Sequence, residues 1–164
     1  MIIEKGINIL LFRFKDYRRY SFIEEHTQVL NEEGHVWILK SGKIPDVRKL
    51  ERIKDDGGFI ILKTPKAEGN NYYLAQFDSM SNNGPDDNAY PSYYKSYLDE
   101  ENNNGIWIRI TRLTKIKKEI INRLVLANGE KPVLDVINKT MTSFMFVKTT
   151  DEIETWNKNA ICSF

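Results

Sequence analysis

Short apolar runs separated by polar stretches dominate the pattern of this chain. Six of them have the length and composition of β-strands, and they span residues 7–14, 36–41, 59–63, 72–77, 106–113 and 143–148. Alternation is clearest in the fifth run, where Ile106, Ile108 and Ile110 occupy every second position. Trp107 and Arg109 lie between them and therefore face the other side of the strand.

Helical spacing marks the segments on either side of the second strand. Ser21 and Glu24 form a capping-box pattern at the start of a helix over 22–33, and Gly34 supplies the left-handed residue that ends it. Asp46 opens a second, shorter helix whose apolar residues recur three positions apart. Two amphipathic helices are therefore expected early in the chain.

The second half of the chain predicts three further helical segments. The tyrosine-rich stretch 91–98 predicts one or two helical turns. Thr114 can cap a helix over 114–126, with isoleucines inward and lysines outward. The polar residues 149–152 predict the cap of a terminal helix that contains Trp156.

A polar stretch over 79–89, rich in Asn, Asp, Gly and Pro, predicts an exposed loop. Strands are predicted on both sides of it, so it lies inside a domain. Strands and helices are mixed without strict alternation, which favours an α+β fold with a curled mixed sheet or small β-barrel as its core and helices at its flanks. At 164 residues the chain is expected to form a single domain over 1–164.

Charge and cysteine content exclude several classes of function. There are 24 Lys and Arg residues and 23 Asp and Glu residues, so the net charge of +1 gives no overall attraction to nucleic acid or membrane. The chain has one cysteine, which excludes an intrachain disulfide framework. Neither a signal peptide nor a membrane-spanning run is visible, so a cytoplasmic protein without membrane contact is expected. With two histidines, no metal site or cofactor is predicted.

Two residues of the strand 36–41 call for an explanation beyond strand propensity. Trp37 and Lys40 stand three positions apart in a segment that is otherwise apolar. A ligand pocket would explain both, and so would a strand edge, with an indole that fills the core or covers the edge and a lysine whose ammonium group reaches solvent. Neither explanation is excluded by the sequence.

Three stretches of the chain carry a family resemblance. Residues 37–41 read Trp-Ile-Leu-Lys-Ser, residues 107–110 read Trp-Ile-Arg-Ile, and residues 142–152 join a strand to an acidic turn. In this order they resemble the W-L-x-K-S strand, the late W-x-x-V strand and the closing segment of EVE domains, which belong to the PUA-like fold group with the YTH and ASCH modules. The resemblance covers about 36–156, so 1–34 is expected to be a strand-helix extension packed on an EVE-like barrel over 35–164.

The resemblance implies a non-catalytic module that binds DNA or RNA by taking a modified or flipped base into an aromatic pocket. A base stacks on an aromatic ring for about 1–3 kcal/mol, and a few fixed polar groups read its edge or hold its phosphate. The expected binding residues are Trp37, Lys40, Ser41, Tyr93, Tyr94, Trp107 and Arg109. Packing in the core is an equally simple reading of the tryptophans and tyrosines.

Two other functions stay open at this point. A small barrel enzyme acting on nucleic acid or nucleotides could use Lys40 with the acids Asp86 and Asp87, although acids in a flexible loop are poorly preorganised for catalysis. A protein-interaction module could use the tyrosines of 90–97 as its surface. The sequence determines neither the base, nor DNA or RNA, nor the oligomeric state.

Overall fold

The computed structural model describes residues 2–98, 105–140 and 142–155 and shows a mixed α+β fold. Its strands are β1 (Ile2–Ile3), β2 (Asn8–Arg13), β3 (Val36–Ser41), β4 (Phe59–Lys63), β5 (Tyr72–Ser81), β6 (Gly105–Ile116), β7 (Leu124–Leu126), β8 (Phe144–Thr149) and β9 (Ile153–Glu154). Its α-helices are α1 (Phe22–Glu33), α2 (Val47–Asp55) and α3 (Lys95–Leu98). Short 3-10 turns cover Lys66–Glu68, Ser92–Tyr94, Lys118–Arg123 and Val133–Asp135.

Seven strands form one mixed sheet in the order β3-β6-β5-β4-β2-β8-β7, and β1 pairs with β9 separately. Only the β2–β4 pair of this sheet is parallel. The edge strands β3 and β7 do not pair with each other, so the sheet is not closed into a barrel. β2, from the segment expected to be an extension, is an interior strand between β4 and β8.

The sheet is strongly curled, as one contact between distant strands shows. Four strands separate β3 from β8, and at about 4.8 Å per strand a flat sheet would hold them about 24 Å apart. The ammonium nitrogen of Lys40 on β3 nevertheless lies 5.8 Å from the ring centroid of Phe144 on β8. The expected curled sheet is therefore confirmed, whereas the expected barrel closure is absent.

Alternate residues of the central strands enter two cores on opposite faces of the sheet. Leu10 of β2 lies in the core that α1 and α2 cover, while Leu11 lies in the core covered by the 3-10 turns of the second half. α2 contributes Leu50 and Ile53 to the first core, and Val47 of the same helix remains exposed. Burial on both faces explains why β2 and β4 are apolar without alternation.

The start and end of α1 agree with the predicted signals. The Ser21 hydroxyl accepts a hydrogen bond from the backbone N–H of Glu24 at 3.4 Å. Gly34 ends the helix in the left-handed conformation, and its N–H donates to the carbonyl of Leu30. The helix predicted over 22–33 is therefore confirmed at both ends.

The helix predicted over 114–126 is wrong. β6 continues to Ile116 and pairs with β5 as far as Tyr72, and the Lys118–Arg123 turn and β7 follow. The four-residue spacing of Ile116, Ile120 and Leu124 suited a helix. A long partner strand, however, offers Thr114 and Ile116 a ladder of backbone hydrogen bonds. Tertiary pairing therefore overrides the local pattern.

Two other expectations need correction. Residues 79–81 belong to β5, and Ala89 is buried, so the stretch 79–89 is not wholly an exposed loop. Residues 153–154 form β9 rather than the start of a terminal helix, because they pair with β1. Trp156, predicted to lie on that helix, lies outside the described residues.

Gly58, where α2 turns into β4, is expected to tolerate no side chain. Its φ is +72°, and a Cβ atom would lie 2.2 Å from the carbonyl oxygen of Phe77. We expect Gly58→Ala to lower the free energy of unfolding by about 1–3 kcal/mol in urea denaturation. Gly34→Ala is the matched control, because Gly34 has a similar φ of +80° but no neighbour within 4 Å. Equal losses in the two variants would contradict the steric explanation.

Candidate functional site

A cleft of about 440 Å³ opens beside the end of β3. Its walls come from β2 and the loop that follows, from α1, from β3 and its following loop, and from the Ser92–Tyr94 turn; the lining residues are Phe12, Arg13, Phe14, Lys15, Asp16, Tyr17, Phe22, Leu39, Lys40, Ser41, Lys43, Tyr93, Tyr94 and Ser143. Four of the seven predicted binding residues are among them: Lys40, Ser41, Tyr93 and Tyr94. We call this site the Lys40 cleft.

Lys40 is a buried cation without a carboxylate partner among the described residues. The residue is 6% exposed. Its ammonium group donates to the backbone carbonyl of Ser41 at 2.6 Å and lies near the ring of Phe144. Burial lowers the pKa of Lys40. A buried ammonium group is unfavourable unless paired, so an anion bound in the cleft would supply the interaction it lacks.

The other charges of the cleft add to its positive character. Lys15 and Lys43 are exposed at its rim. The guanidinium of Arg13 is already engaged, because it donates to the backbone carbonyls of Ile137, Thr140 and Thr142. The one acid in the lining, Asp16, accepts a hydrogen bond from the N–H of Phe22 at 2.8 Å. The lining therefore holds four cations and one acid, although the whole chain has a net charge of +1.

Stacked tyrosines form one wall of the Lys40 cleft. The Tyr93 ring stacks on Tyr17 at a centroid distance of 5.6 Å and on Tyr20 at 5.4 Å. Tyr17, Tyr20 and Tyr93 are all half-buried. The guanidinium of Arg18 lies 5.2 Å from the centroid of Tyr17. The stack therefore gives the cleft an aromatic wall with a cation over the ring of Tyr17.

Tyr94 is a rigid part of the wall rather than a free hydroxyl group. It is 4% exposed, and its hydroxyl lies 2.8 Å from Nε2 of the fully buried His26. Nδ1 of His26 must donate to the carbonyl of Phe22 at 2.7 Å, since a carbonyl only accepts, so Nε2 accepts from Tyr94. Desolvation lowers the pKa of His26 from 6.5 to about 4, partly offset by that carbonyl. The imidazole is therefore neutral near pH 7.

Trp37 and Trp107, the two tryptophans predicted to stack on a base, lie in the interior. Each is 1% exposed, and neither lines the cleft; both belong to a cluster with Ala89 and with Leu39 and Tyr94, which do line it. Trp107 meets Tyr94 edge-on at 5.4 Å. The expectation that these indoles contact a bound base is therefore corrected. They pack with Leu39 and Tyr94, two residues of the cleft wall.

Arg109 also lies away from the Lys40 cleft. It pairs with Trp37 across β3 and β6, and its Nε lies 3.6 Å from a carboxylate oxygen of Asp78. This ion pair has half-exposed partners and a long separation. Arg109 is therefore not part of the candidate site in this conformation.

Asp87 anchors the 82–89 loop to β3. Its carboxylate accepts hydrogen bonds from the backbone N–H of Ala89 at 3.0 Å and from the Trp37 indole at 3.1 Å, and one oxygen lies 2.7 Å from Nε2 of His35. The Ala89 N–H bond, with help from His35 and Trp37, lowers the pKa of Asp87. This acid does not line the cleft, so it is not placed to work with Lys40 in catalysis.

The tyrosine surface expected over 90–97 is only partly exposed. Tyr94 is buried, and Tyr90 packs on Trp107 at 6.0 Å. Tyr93 is engaged in its stack, and the side chain of Tyr97 lies outside the described part of the chain. These tyrosines mainly join the Ser92–Tyr94 turn to the sheet and to α1.

Sequence reasoning missed the loop between β2 and α1, which supplies Lys15, Asp16 and Tyr17 to the cleft. A local signal was present, since residues 15–20, Lys-Asp-Tyr-Arg-Arg-Tyr, place three basic side chains among two tyrosines. Such interleaving is typical of surfaces that bind anionic ligands with planar rings. Phe144 was missed for another reason: its approach to Lys40 depends on the curl of the sheet.

Comparison of the chain with protein families, with curated proteins and with solved structures found no match. Among the described residues, no group of three or more His, Cys, Asp or Glu side chains could hold a metal ion. The helices described here are all too short or too polar to cross a membrane. The geometry of the cleft therefore carries the functional inference.

Proposed function

We propose that the Lys40 cleft binds a nucleotide of single-stranded or locally unpaired DNA or RNA, including a flipped or modified base, and that the protein is a non-catalytic nucleic-acid-binding module. The observation that carries this proposal is the buried ammonium of Lys40, which faces a cleft and lacks a carboxylate partner among the described residues. A phosphate group supplies the missing charge.

The remaining lining suits the other parts of a nucleotide. Lys15 and Lys43 at the rim can contact neighbouring phosphates. The stack of Tyr17 on Tyr93 gives the cleft an aromatic wall, and Ser41 and Ser143 offer hydroxyl groups at the same cleft. A cleft of about 440 Å³ is in the usual range for small ligands. Charge, ring and hydroxyl thus occur together at one site.

Substitution of Lys40 by methionine is expected to weaken nucleic-acid binding without unfolding the protein. Methionine keeps the length of the side chain and removes the buried charge, so the free energy of unfolding should stay equal or rise. The affinity should fall about tenfold or more, because a hydrogen-bonded charge pair is lost. Fluorescence anisotropy with labelled single-stranded DNA and RNA octamers measures the binding, and urea denaturation measures stability.

Lys117→Met is the matched control for this test. Lys117 is an exposed lysine in a different cleft, beside Ile3 and Ile61 of the second core. Its loss should change the affinity by less than about twofold. The same octamers as duplexes, with and without a modified cytosine, show whether an unpaired or modified base is preferred. The proposal would be refuted if the wild-type protein did not bind the octamers, or if Lys40→Met bound them as strongly as wild type does.

A further inference from the structure

We propose that the nucleic-acid strand does not end in the Lys40 cleft but continues along the lysines that lie beside Phe144 and Phe146 to Lys49 and Arg52 of α2, so that the partner is a single strand several nucleotides long. The proposal rests on the proposed function of the Lys40 cleft. It adds a second contact surface, a groove of about 170 Å³ that includes Lys49, Arg52 and Phe146. We call it the Phe146 groove.

A continuous series of cation and ring contacts links the two sites. Lys40 and Lys43 lie 5.8 and 6.0 Å from the ring centroid of Phe144. Phe144 meets Phe146 edge-on at 6.0 Å. Lys49 lies 5.0 Å from the centroid of Phe146. The ammonium groups therefore follow the two β8 rings from the cleft into the groove.

The charges along this path are strongly one-sided. The linings of the Lys40 cleft and the Phe146 groove together hold six cations, Arg13, Lys15, Lys40, Lys43, Lys49 and Arg52, and one acid, Asp16. The chain as a whole has nearly equal numbers of cations and acids. This local excess matches a polyanion better than a single phosphate, because counterion release grows with the number of phosphates contacted.

Intramolecular ion pairs do not account for the excess in the described residues. The one ion pair on α2 joins Lys54 to Glu51 at 3.0 Å. Asp46 is occupied as the helix cap, since it accepts from the N–H groups of Arg48 and Lys49. Lys43, Lys49 and Arg52 have no described carboxylate within ion-pair distance. Their charges are therefore available to an external anion.

The polar groups of the groove suit a nucleic-acid strand. Asn8 and Asn128 line it beside the half-buried ring of Phe146. Amides can read base edges or contact sugar and phosphate oxygens, and the exposed part of Phe146 can stack on a base. At 3.4 Å or more per nucleotide, the contacts from Lys40 to Lys49 extend over at most about five nucleotides.

The test is the length dependence of binding, measured with fluorescently labelled oligothymidylates of two, four, six and eight nucleotides. We expect wild-type affinity to rise from two to about five nucleotides and then to level off. The double variant Lys49→Gln/Arg52→Gln should lose that gain while keeping its affinity for the dinucleotide. Its slope of log affinity against log salt for the hexamer should fall by about 1.4, since each phosphate contact with a single strand contributes about 0.7.

Lys115→Gln/Lys117→Gln is the charge-matched control. Both lysines are exposed and line the other cleft, so removing them should leave the length dependence intact. A dinucleotide bound through Lys40 with no gain from longer strands would overturn the path and leave the proposed function standing. The same conclusion holds if both double variants weaken hexamer binding equally. If no oligonucleotide of any length binds in a way that depends on Lys40, both proposals are overturned.

Discussion

Replacing Trp37 with alanine is expected to lower the free energy of unfolding by about 3–5 kcal/mol. The indole is 1% exposed and packs in a cluster with Leu39 and Trp107, so truncation leaves a cavity in a close-packed region. Its N–H also donates to Asp87, which anchors the 82–89 loop. Urea denaturation followed by circular dichroism measures the loss.

Trp37→Phe separates packing from hydrogen bonding. Phenylalanine keeps most of the buried ring and loses only the donor to Asp87, so its loss should be smaller, about 1–2 kcal/mol. The remaining donors to Asp87, from His35 and the N–H of Ala89, are retained. A Trp37→Ala protein as stable as wild type would contradict the buried position of the indole.

The same variants define what Trp37 contributes to binding. Because the indole does not line the Lys40 cleft, a folded Trp37→Phe protein should bind oligonucleotides like wild type. Weaker binding by Trp37→Ala would be traced to loss of fold rather than loss of a stacking surface. If the Trp37→Phe protein bound oligonucleotides as weakly as the Lys40→Met protein, the indole would have to be part of the binding site.

His26 is expected to give the protein a steep loss of stability between pH 6.5 and pH 4. Its pKa is lowered from 6.5 to about 4 because the ring is fully buried, and the unfolded chain regains the ordinary value. The unfolded state therefore binds more protons in this window. The stabilisation is complete above pH 6.5 and falls as the pH drops to about 4, by about 3 kcal/mol in total.

His26→Gln isolates this contribution from the rest of the acid response. Glutamine can still donate to the Phe22 carbonyl and accept from Tyr94, but it does not titrate. Asp87 and Asp151, whose pKa values are lowered from 3.8, lose their stabilisation mainly below pH 4 and do so alike in both proteins, so they add little to the curve above pH 4. Urea denaturation from pH 7.5 to pH 4 should give the variant a flatter curve. Parallel curves would contradict a buried neutral imidazole.

Local signals predicted the elements whose ends and faces are set by neighbouring residues. Ser21 and Gly34 marked α1, Asp46 marked the start of α2, and the alternation in 106–113 marked β6. The run 143–148 corresponds to β8 within one residue at each end. Caps and side-chain alternation act over a few residues, so the sequence contains the information directly.

Elements that depend on a distant partner were not predictable in this way. In the segment 114–126, residues 114–116 became strand because β5 extends to pair with them, and residues 124–126 became strand because they pair with β8. Residues 153–154 became a strand because Ile2 and Ile3 pair with them. The residues within a few positions of a segment do not show which distant strand will pair with it.

The candidate site shows the same division. The sequence by itself pointed to seven binding residues, because tryptophan and lysine in an apolar strand and a run of tyrosines are unusual wherever they occur; four of them, Lys40, Ser41, Tyr93 and Tyr94, line the cleft. Only the tertiary structure put both tryptophans in the interior and brought Lys40 to the ring of Phe144. The curl of a seven-stranded sheet determines which side of each strand is enclosed, and that curl is a property of all its strands together.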